Sequence, residues 1–267
     1  MLLAGLFFTG CTSEFNRVYK STDYNYKYEY AKQVFSEGSY SQANALLGDV
    51  VLSLKGTDNG QECLYLLGMS QYLMRDYDLA SETFKKYGST YPKGFFAEKA
   101  SFYVGQSLYE SSPEPRLDQA PTIGALNAYQ DFLDRYPESS LRQQATERLY
   151  ELQDKLILKE LLTAQLYYDL GGYFGNCTNG GSNLEACIIT AQNALKTYPF
   201  TDMRESFSLL IMKSKYELAT QSVEERRMER YRDAEDECYG FLNEFPESKN
   251  ADLAQKFLER CKKVTGN

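Results

Sequence analysis

The chain of 267 residues contains no histidine and no tryptophan. Without an imidazole it builds neither a Ser-His-Asp triad nor a Cys-His dyad, and it has no His ligand for zinc or iron. Positive charge is also short: 29 Lys and Arg stand against 37 Asp and Glu, giving a net charge of −8. Phosphate backbones are gripped by clustered cations, so nucleic acid is excluded as the main partner. No P-loop, no Gly-x-Ser-x-Gly elbow, no Cys-x-x-Cys and no metal-ligand cluster is present in the sequence. An enzyme is therefore not expected, nor a metal, nor any cofactor beyond a covalent lipid. The apolar run Met1–Phe8 is too short to cross a bilayer. What the chain has in excess is aromatic: 23 tyrosines and 15 phenylalanines in a composition that is 43% hydrophobic, ample for a core and unlike a disordered chain.

The apolar run ends in Phe8-Thr9-Gly10-Cys11, which resembles a bacterial lipobox. Small residues before the cysteine suit a peptidase groove, and the Cys11 thiol is the nucleophile that receives diacylglycerol. Residues 1–10 then read as a signal peptide and 11–23 as a lipidated N-terminal linker. Phe8 replaces the usual Leu, and no Lys or Arg precedes the run, which suggests a start site placed too far downstream. The competing reading is a buried N-terminal segment with an incidental cysteine. Several acyl chains, at about 0.8 kcal/mol per buried CH₂, anchor a protein without a spanning helix. Thr12 is not the acidic residue that retains lipoproteins at the inner membrane, so the outer membrane is expected, with the chain facing the periplasm.

A length of 267 residues suits a repeat array or two small domains. Tyr28, Ala31 and Phe35 recur as Tyr65, Gly68 and Tyr72, and again as Phe102, Gly105 and Tyr109, each time 37 residues on. The i, i+3, i+7 spacing puts each triplet on one helical face, with a tiny residue where two helices approach closely. Tyr40 and Ala43 recur as Tyr77 and Ala80 at the same period, so each unit is a helix, a turn (Glu37-Gly38, Arg75-Asp76) and a second helix. Four prolines share one context: Tyr91-Pro92, Tyr136-Pro137, Tyr198-Pro199 and Phe245-Pro246. Twelve residues before each stands a small residue: Ala80, Ala125, Cys187 or Ala234. A proline there stops one helix and opens the next turn. The pattern resembles the tetratricopeptide repeat. It predicts an all-α solenoid of five helix pairs, near 24–60, 61–97, 98–140, 158–201 and 203–249, plus a capping helix over 250–263. Insertions are expected at Ser111–Thr122, Asn176–Asn183 and Gln221–Met228. Ser140–Leu170 reads as one long helix ending at Gly171-Gly172, dividing repeats 1–3 (24–144) from the bridging helix, repeats 4–5 and cap (145–267).

The lipobox, the repeat number and that long helix, with Ala145-Thr146, Arg148-Leu149, Leu152, Asp154, Leu156 and then Tyr167-Tyr168, together resemble the BamD family of lipoproteins of the outer-membrane β-barrel assembly machinery. The resemblance covers nearly the whole mature chain. It implies a non-catalytic periplasmic scaffold that assists protein insertion into the outer membrane. Its C-terminal repeats would dock on a POTRA domain of the barrel-forming subunit, its N-terminal repeats would handle unfolded β-barrel precursors, and accessory lipoproteins would be further partners. The loop Asn176–Asn183 and the extra cysteines depart from the enteric pattern. The alternative within the same architecture is a generic lipoprotein adaptor, such as a pilotin for a secretin or pilus.

In a tetratricopeptide solenoid helix A lines the concave groove. The candidate peptide-binding residues are then Tyr28, Lys32, Phe35, Tyr65, Met69, Tyr72, Phe102, Gln106 and Tyr109. Tyrosine and methionine suit a segment of alternating apolar residues closing on an aromatic; the alternative is that these side chains only stack one repeat on the next. With Cys11 lipidated, five cysteines remain, an odd number for an oxidising compartment. Cys177–Cys187 would staple a loop and Cys238–Cys261 would tie the last repeat to the cap, with buried helical thiols as the alternative. Cys63 has no assigned partner. The mixed-charge run Glu224–Glu237 reads as a solvated helical face or a docking face.

Overall fold

A computed structural model describes residues 8–171 and 182–266, the side chains of 8–13 excepted. Within the described residues there are twelve helices and no strand. They are α1 (Phe8–Tyr19), α2 (Tyr24–Ser36), α3 (Tyr40–Val50), α4 (Asp58–Leu73), α5 (Tyr77–Thr90), α6 (Ala97–Ser111), α7 (Ala120–Arg135), α8 (Arg142–Leu170), α9 (Asn183–Thr197), α10 (Arg204–Thr220), α11 (Glu224–Glu244) and α12 (Ala251–Thr265). Five pairs follow the tetratricopeptide plan: α2/α3, α4/α5, α6/α7, the second half of α8 with α9, and α10/α11, with α12 as cap. The chain forms two compact units, Met1–Gln153 and Asp154–Asn267, and the division falls inside α8.

Local chemistry sets the helix ends. Asp23 caps α2 by accepting the Tyr26 N–H at 3.0 Å, and Thr57 caps α4 by accepting the Gly60 N–H at 3.0 Å. The four helices that precede proline all stop in one conformation. Tyr91, Tyr136, Tyr198 and Phe245 have φ between −130° and −126° and ψ between 60° and 68°. Proline bars its predecessor from the α region, so the stop is written in the dipeptide. Between the helices of repeats 1 and 2 the turn is a left-handed residue one repeat apart, Gly38 (φ 81°) and Arg75 (φ 64°). In both turns the next residue's N–H reaches back to a helix carbonyl, Ser39 to Val34 at 2.8 Å and Asp76 to Gln71 at 2.9 Å.

The expected close approach of helix A to helix B is present. A Cβ on Gly68 would lie 2.7 Å from the Phe84 ring, and one on Gly105 would lie 2.9 Å from the Tyr129 ring. The expected linker 11–23 is not plain: α1 runs through it to Tyr19, and its Val18 is fully buried in the core that holds Tyr28, Ala31, Leu46 and Leu47. Gln221–Met228 is not a loop insertion. Its second half begins α11 and lengthens that helix to 21 residues. The loop 176–182, apart from Ser182, and the end of the bridging helix at Gly172 lie outside the described residues.

Two three-helix modules repeat one another. Phe132-Leu133-Asp134-Arg135-Tyr136-Pro137-Glu138-Ser139 of the first unit matches Phe241-Leu242-Asn243-Glu244-Phe245-Pro246-Glu247-Ser248 of the second. In both, the serine hydroxyl donates to a glutamate in the first turn of the preceding helix A, Ser139 to Glu98 at 2.5 Å and Ser248 to Glu205 at 2.6 Å. The same hydroxyl accepts a backbone N–H two residues on, from Leu141 or Asn250, at 3.0 Å. These anchors align α6–α7–start of α8 with α10–α11–α12. The first half of α8 therefore closes the first unit as α12 closes the second.

Candidate functional site

Aromatic side chains of α4 and α6 meet the start of α8 around a groove of about 240 Å³ in the first unit. Its floor is Tyr65, Phe102 and Gln106, all buried. Half-buried Tyr72 and Tyr103 form the walls, with ring centroids 5.2 Å apart at 69°. Leu141 borders the groove, and exposed Lys99 and Gln144 stand at its rim. Rings pack below it as well: Tyr65 stacks on Phe96 at 4.4 Å, and Phe102 meets Tyr129 and Phe132 edge-on.

The groove is lined by aromatic faces together with polar edges, and its phenols stay neutral. Burial raises the pKa of Tyr65, Tyr72 and Tyr103, and for Tyr72 the Glu110 carboxylate adds to it while a hydrogen bond from Gln106 opposes it. Gln106 itself is locked: its carbonyl accepts from the Tyr129 hydroxyl at 2.8 Å and its amide donates to Glu110 at 2.9 Å. A locked amide gives the groove a fixed floor. Tyr, Phe and Leu surfaces with one cation at the mouth fit an extended segment that offers an aromatic side chain and negative charge.

Four of the nine expected residues line this groove: Tyr65, Tyr72, Phe102 and Gln106. The other five serve packing or local pairing. Tyr28 is fully buried and donates its hydroxyl to Glu62 of the next helix A. Lys32 pairs with Glu29 at 3.0 Å and lies 4.7 Å from the Tyr28 ring. Phe35 meets Tyr40 edge-on, Met69 packs against the first unit's core, and Tyr109 donates to Glu151 at 2.6 Å beneath the Arg148 guanidinium. Even Tyr65, Phe102 and Gln106 are floor rather than outward-facing contacts, because helix A is covered on two sides by its own helix B and by the next helix A. Tyr103, Lys99, Leu141 and Gln144 were not foreseen. Tyr103 sits one residue off the repeating face, and the α8 residues come from a different helix.

Tyrosine-to-carboxylate contacts recur between successive A helices: Tyr28 to Glu62, Tyr109 to Glu151 and Tyr168 to Glu217. In each the phenol is the donor, and burial together with the carboxylate raises its pKa. Three of the 23 tyrosines thus join one repeat to the next.

The four cysteines whose side chains are described are thiols in this structure. Cys63, Cys187, Cys238 and Cys261 are all fully buried. Cys63 donates to the Leu47 carbonyl at 3.7 Å, and burial pushes its pKa up to about 12. Cys187 is raised by burial, with Ser214 opposing, and its expected partner Cys177 lies outside the described residues, as does the Cys11 side chain. Among the described residues no group of three or more metal-ligating side chains converges, and no helix is long and apolar enough to cross a membrane.

A family model described as an outer membrane lipoprotein, YfiO, matches residues 20–227. The match covers most of the first unit and the second as far as the start of α11. The chain belongs to the YfiO family of outer-membrane lipoproteins. No curated protein matches it. Membership in this BamD-like family agrees with the tetratricopeptide architecture and with a role at the outer membrane. The YfiO match includes α4, α6 and the start of α8, so the groove lies within the family's own segment.

Proposed function

We propose that this YfiO-family chain is a non-catalytic scaffold lipoprotein of the outer-membrane β-barrel assembly complex. It is held at the periplasmic face by lipid on Cys11 and assists insertion of β-barrel proteins. The first unit takes unfolded β-barrel precursors in the groove of Tyr65, Tyr72, Phe102 and Tyr103. The second unit, with α10–α12, docks a POTRA domain of the barrel-forming subunit, and accessory lipoproteins join the complex. The observation that carries this reading is the aromatic groove with Lys99 at its mouth, in a chain of this family. A precursor segment that closes on an aromatic residue and a terminal carboxylate matches that pocket in both parts.

A photo-crosslinking residue in place of Gln144, at the rim, should capture precursor C-terminal segments. One in place of exposed Gln130, on α7 and away from the groove, should not. Equal capture at both positions would remove the groove from the reading. Affinity purification from membranes should recover a POTRA-bearing barrel protein; a secretin or pilus ring in its place would overturn the scaffold assignment. Metabolic labelling with a palmitate analogue should mark the chain and vanish in Cys11→Ala.

A further inference from the structure

The second unit holds two thiols that face each other from neighbouring antiparallel helices. Cys238 lies on α11 and Cys261 on α12, both without exposure to solvent. They belong to adjoining core clusters along the α11–α12 seam, Cys238 with Phe241 and Leu258, Cys261 with Tyr231 and Ala234. The register is fixed independently on both sides of the pair. Thr265 donates to Glu235 at 2.8 Å one turn away, and Lys262 lies 5.1 Å from the Tyr239 ring immediately beside it. Phe241 and Leu258 share the core cluster in the next layer with Ala254 and Met212. These contacts hold α12 against α11 in a register that sets Cys238 and Cys261 opposite each other.

The matching positions of the first unit are Tyr129 and Leu152, both fully buried and members of one core cluster. There the space is filled by a ring and a branched chain. The second unit instead fills it with two sulfurs and the side chain of Met212. Packing alone does not require thiols at both positions, since Ala and Leu serve elsewhere in the same core.

We propose that Cys238 and Cys261 form a disulfide that locks the capping helix α12 onto the last repeat, made during folding by exchange with a disulfide donor. Each thiol gives up its proton, one sulfur–sulfur bond forms, and the two electrons reduce the donor's disulfide to two thiols. Both sites are closed to solvent once α12 has docked, which places the exchange before docking is complete and protects the product afterwards. The bond would close a loop of 22 residues between the two positions, long enough for a cross-link to restrict the unfolded chain substantially.

The test uses the full chain, unfolded in urea with a thiol reductant and refolded against excess oxidised or reduced glutathione. After quenching and alkylation of free thiols in denaturant, peptide mass mapping should find Cys238 linked to Cys261 only in the oxidised sample, with Cys63 alkylated in both. Cys63→Ser should keep the link and Cys261→Ser should lose it. The linked form should melt higher than the reduced form, by on the order of 5–10 °C. Alkylation of both Cys238 and Cys261 after oxidative refolding, or their linkage to other cysteines, would overturn the proposal. A linked form that melts no higher than the reduced one would overturn the locking role.

Discussion

The two units solve one packing problem with opposite choices of side chain. In the first, helix A contributes nothing at Gly105 and helix B contributes the whole Tyr129 ring. In the second, the aligned pair is Met212 on α10 and Cys238 on α11, both fully buried in one cluster. The volume is shared out differently, and the surroundings change with it. Arg148 of the first unit lies over the Tyr109 ring, 4.5 Å from its centroid, and pairs with Glu151 at 2.7 Å. At the aligned positions of the second, Phe257 stacks on Tyr216 at 3.9 Å with the rings 5° from parallel, and Arg260 donates to the Tyr216 hydroxyl at 3.3 Å. The first unit is a lattice of phenols with an open groove; the second sets fewer buried rings, Phe207, Tyr216, Tyr231 and Phe241, among alanines, thiols and aliphatic chains. The fold constrains the sum of volumes at a contact, while each side of it is free to vary.

Alkaline pH separates the units most strongly. In the first, Cys63 and the buried phenols of Tyr28, Tyr65, Tyr87 and Tyr129 all have raised pKa values, with burial the main cause. The unfolded chain releases these protons near pH 9 for the thiol and near pH 10 for the phenols, and the folded chain keeps them longer. Their contribution is therefore complete below those values and is lost as pH rises, by about 1.4 kcal/mol per pH unit per group. For Cys63 the loss runs from about 9 to about 12. Half-buried Tyr72, Tyr103 and Tyr109 add less, because water screens them. The second unit has Tyr168 and Cys187 raised, while Cys238 and Cys261 move in opposite directions. Between pH 8 and 10.5 the first unit should thus lose about 2 kcal/mol more than the second. Pulse proteolysis across urea melts at both pH values, with fragments located by mass, should show it opening first at the higher pH. Earlier opening of the second unit would refute the comparison.

Gly105→Met tests the exchange of volumes. A methionine there drives into the Tyr129 ring and should cost about 3 kcal/mol, seen as a lower urea midpoint. Tyr129→Cys alone leaves a cavity and also strips Gln106 of its donor, a cost of similar size. The double variant installs the second unit's pair in the first and should be more stable than the two losses added together, by about 1–3 kcal/mol. Additive losses would mean that the aligned pairs do not share one space.

Much of this plan is legible in the sequence, because local sterics decide it. Residues before proline end their helices in one conformation, and Gly68 and Gly105 mark the points where an aromatic ring presses on helix A. The groove was only half legible. A repeating face tells where a helix makes contact, but it does not tell whether solvent or another helix provides that contact, so Tyr28 reads like a groove residue and is core. Lys99 and Gln144 carry no periodic signal at all, since they belong to the rim of a space defined by three helices. The match of Gly105 with Met212 was hidden for a different reason. Two residues of difference in spacing separate the modules, and only the Ser139–Glu98 and Ser248–Glu205 bonds align them.

The smallest effect concerns the caps. Phe257→Arg places the first unit's cation over Tyr216, but without its carboxylate, because Arg260 stands where Glu151 does. Two like charges three residues apart on α12 repel, and the stack is lost, so the variant should fall by about 2 kcal/mol. Adding Arg260→Glu rebuilds the trio of ring, guanidinium and carboxylate in the second unit and should return part of that loss. Phe257→Ala with the same Arg260→Glu change has no cation to gain from the carboxylate and should recover nothing. Thermal melts of the three variants decide the point. If both glutamate doubles recover equally, the cation over the ring has no part in closing either unit, and the resemblance between Arg148 and Phe257 reduces to shape.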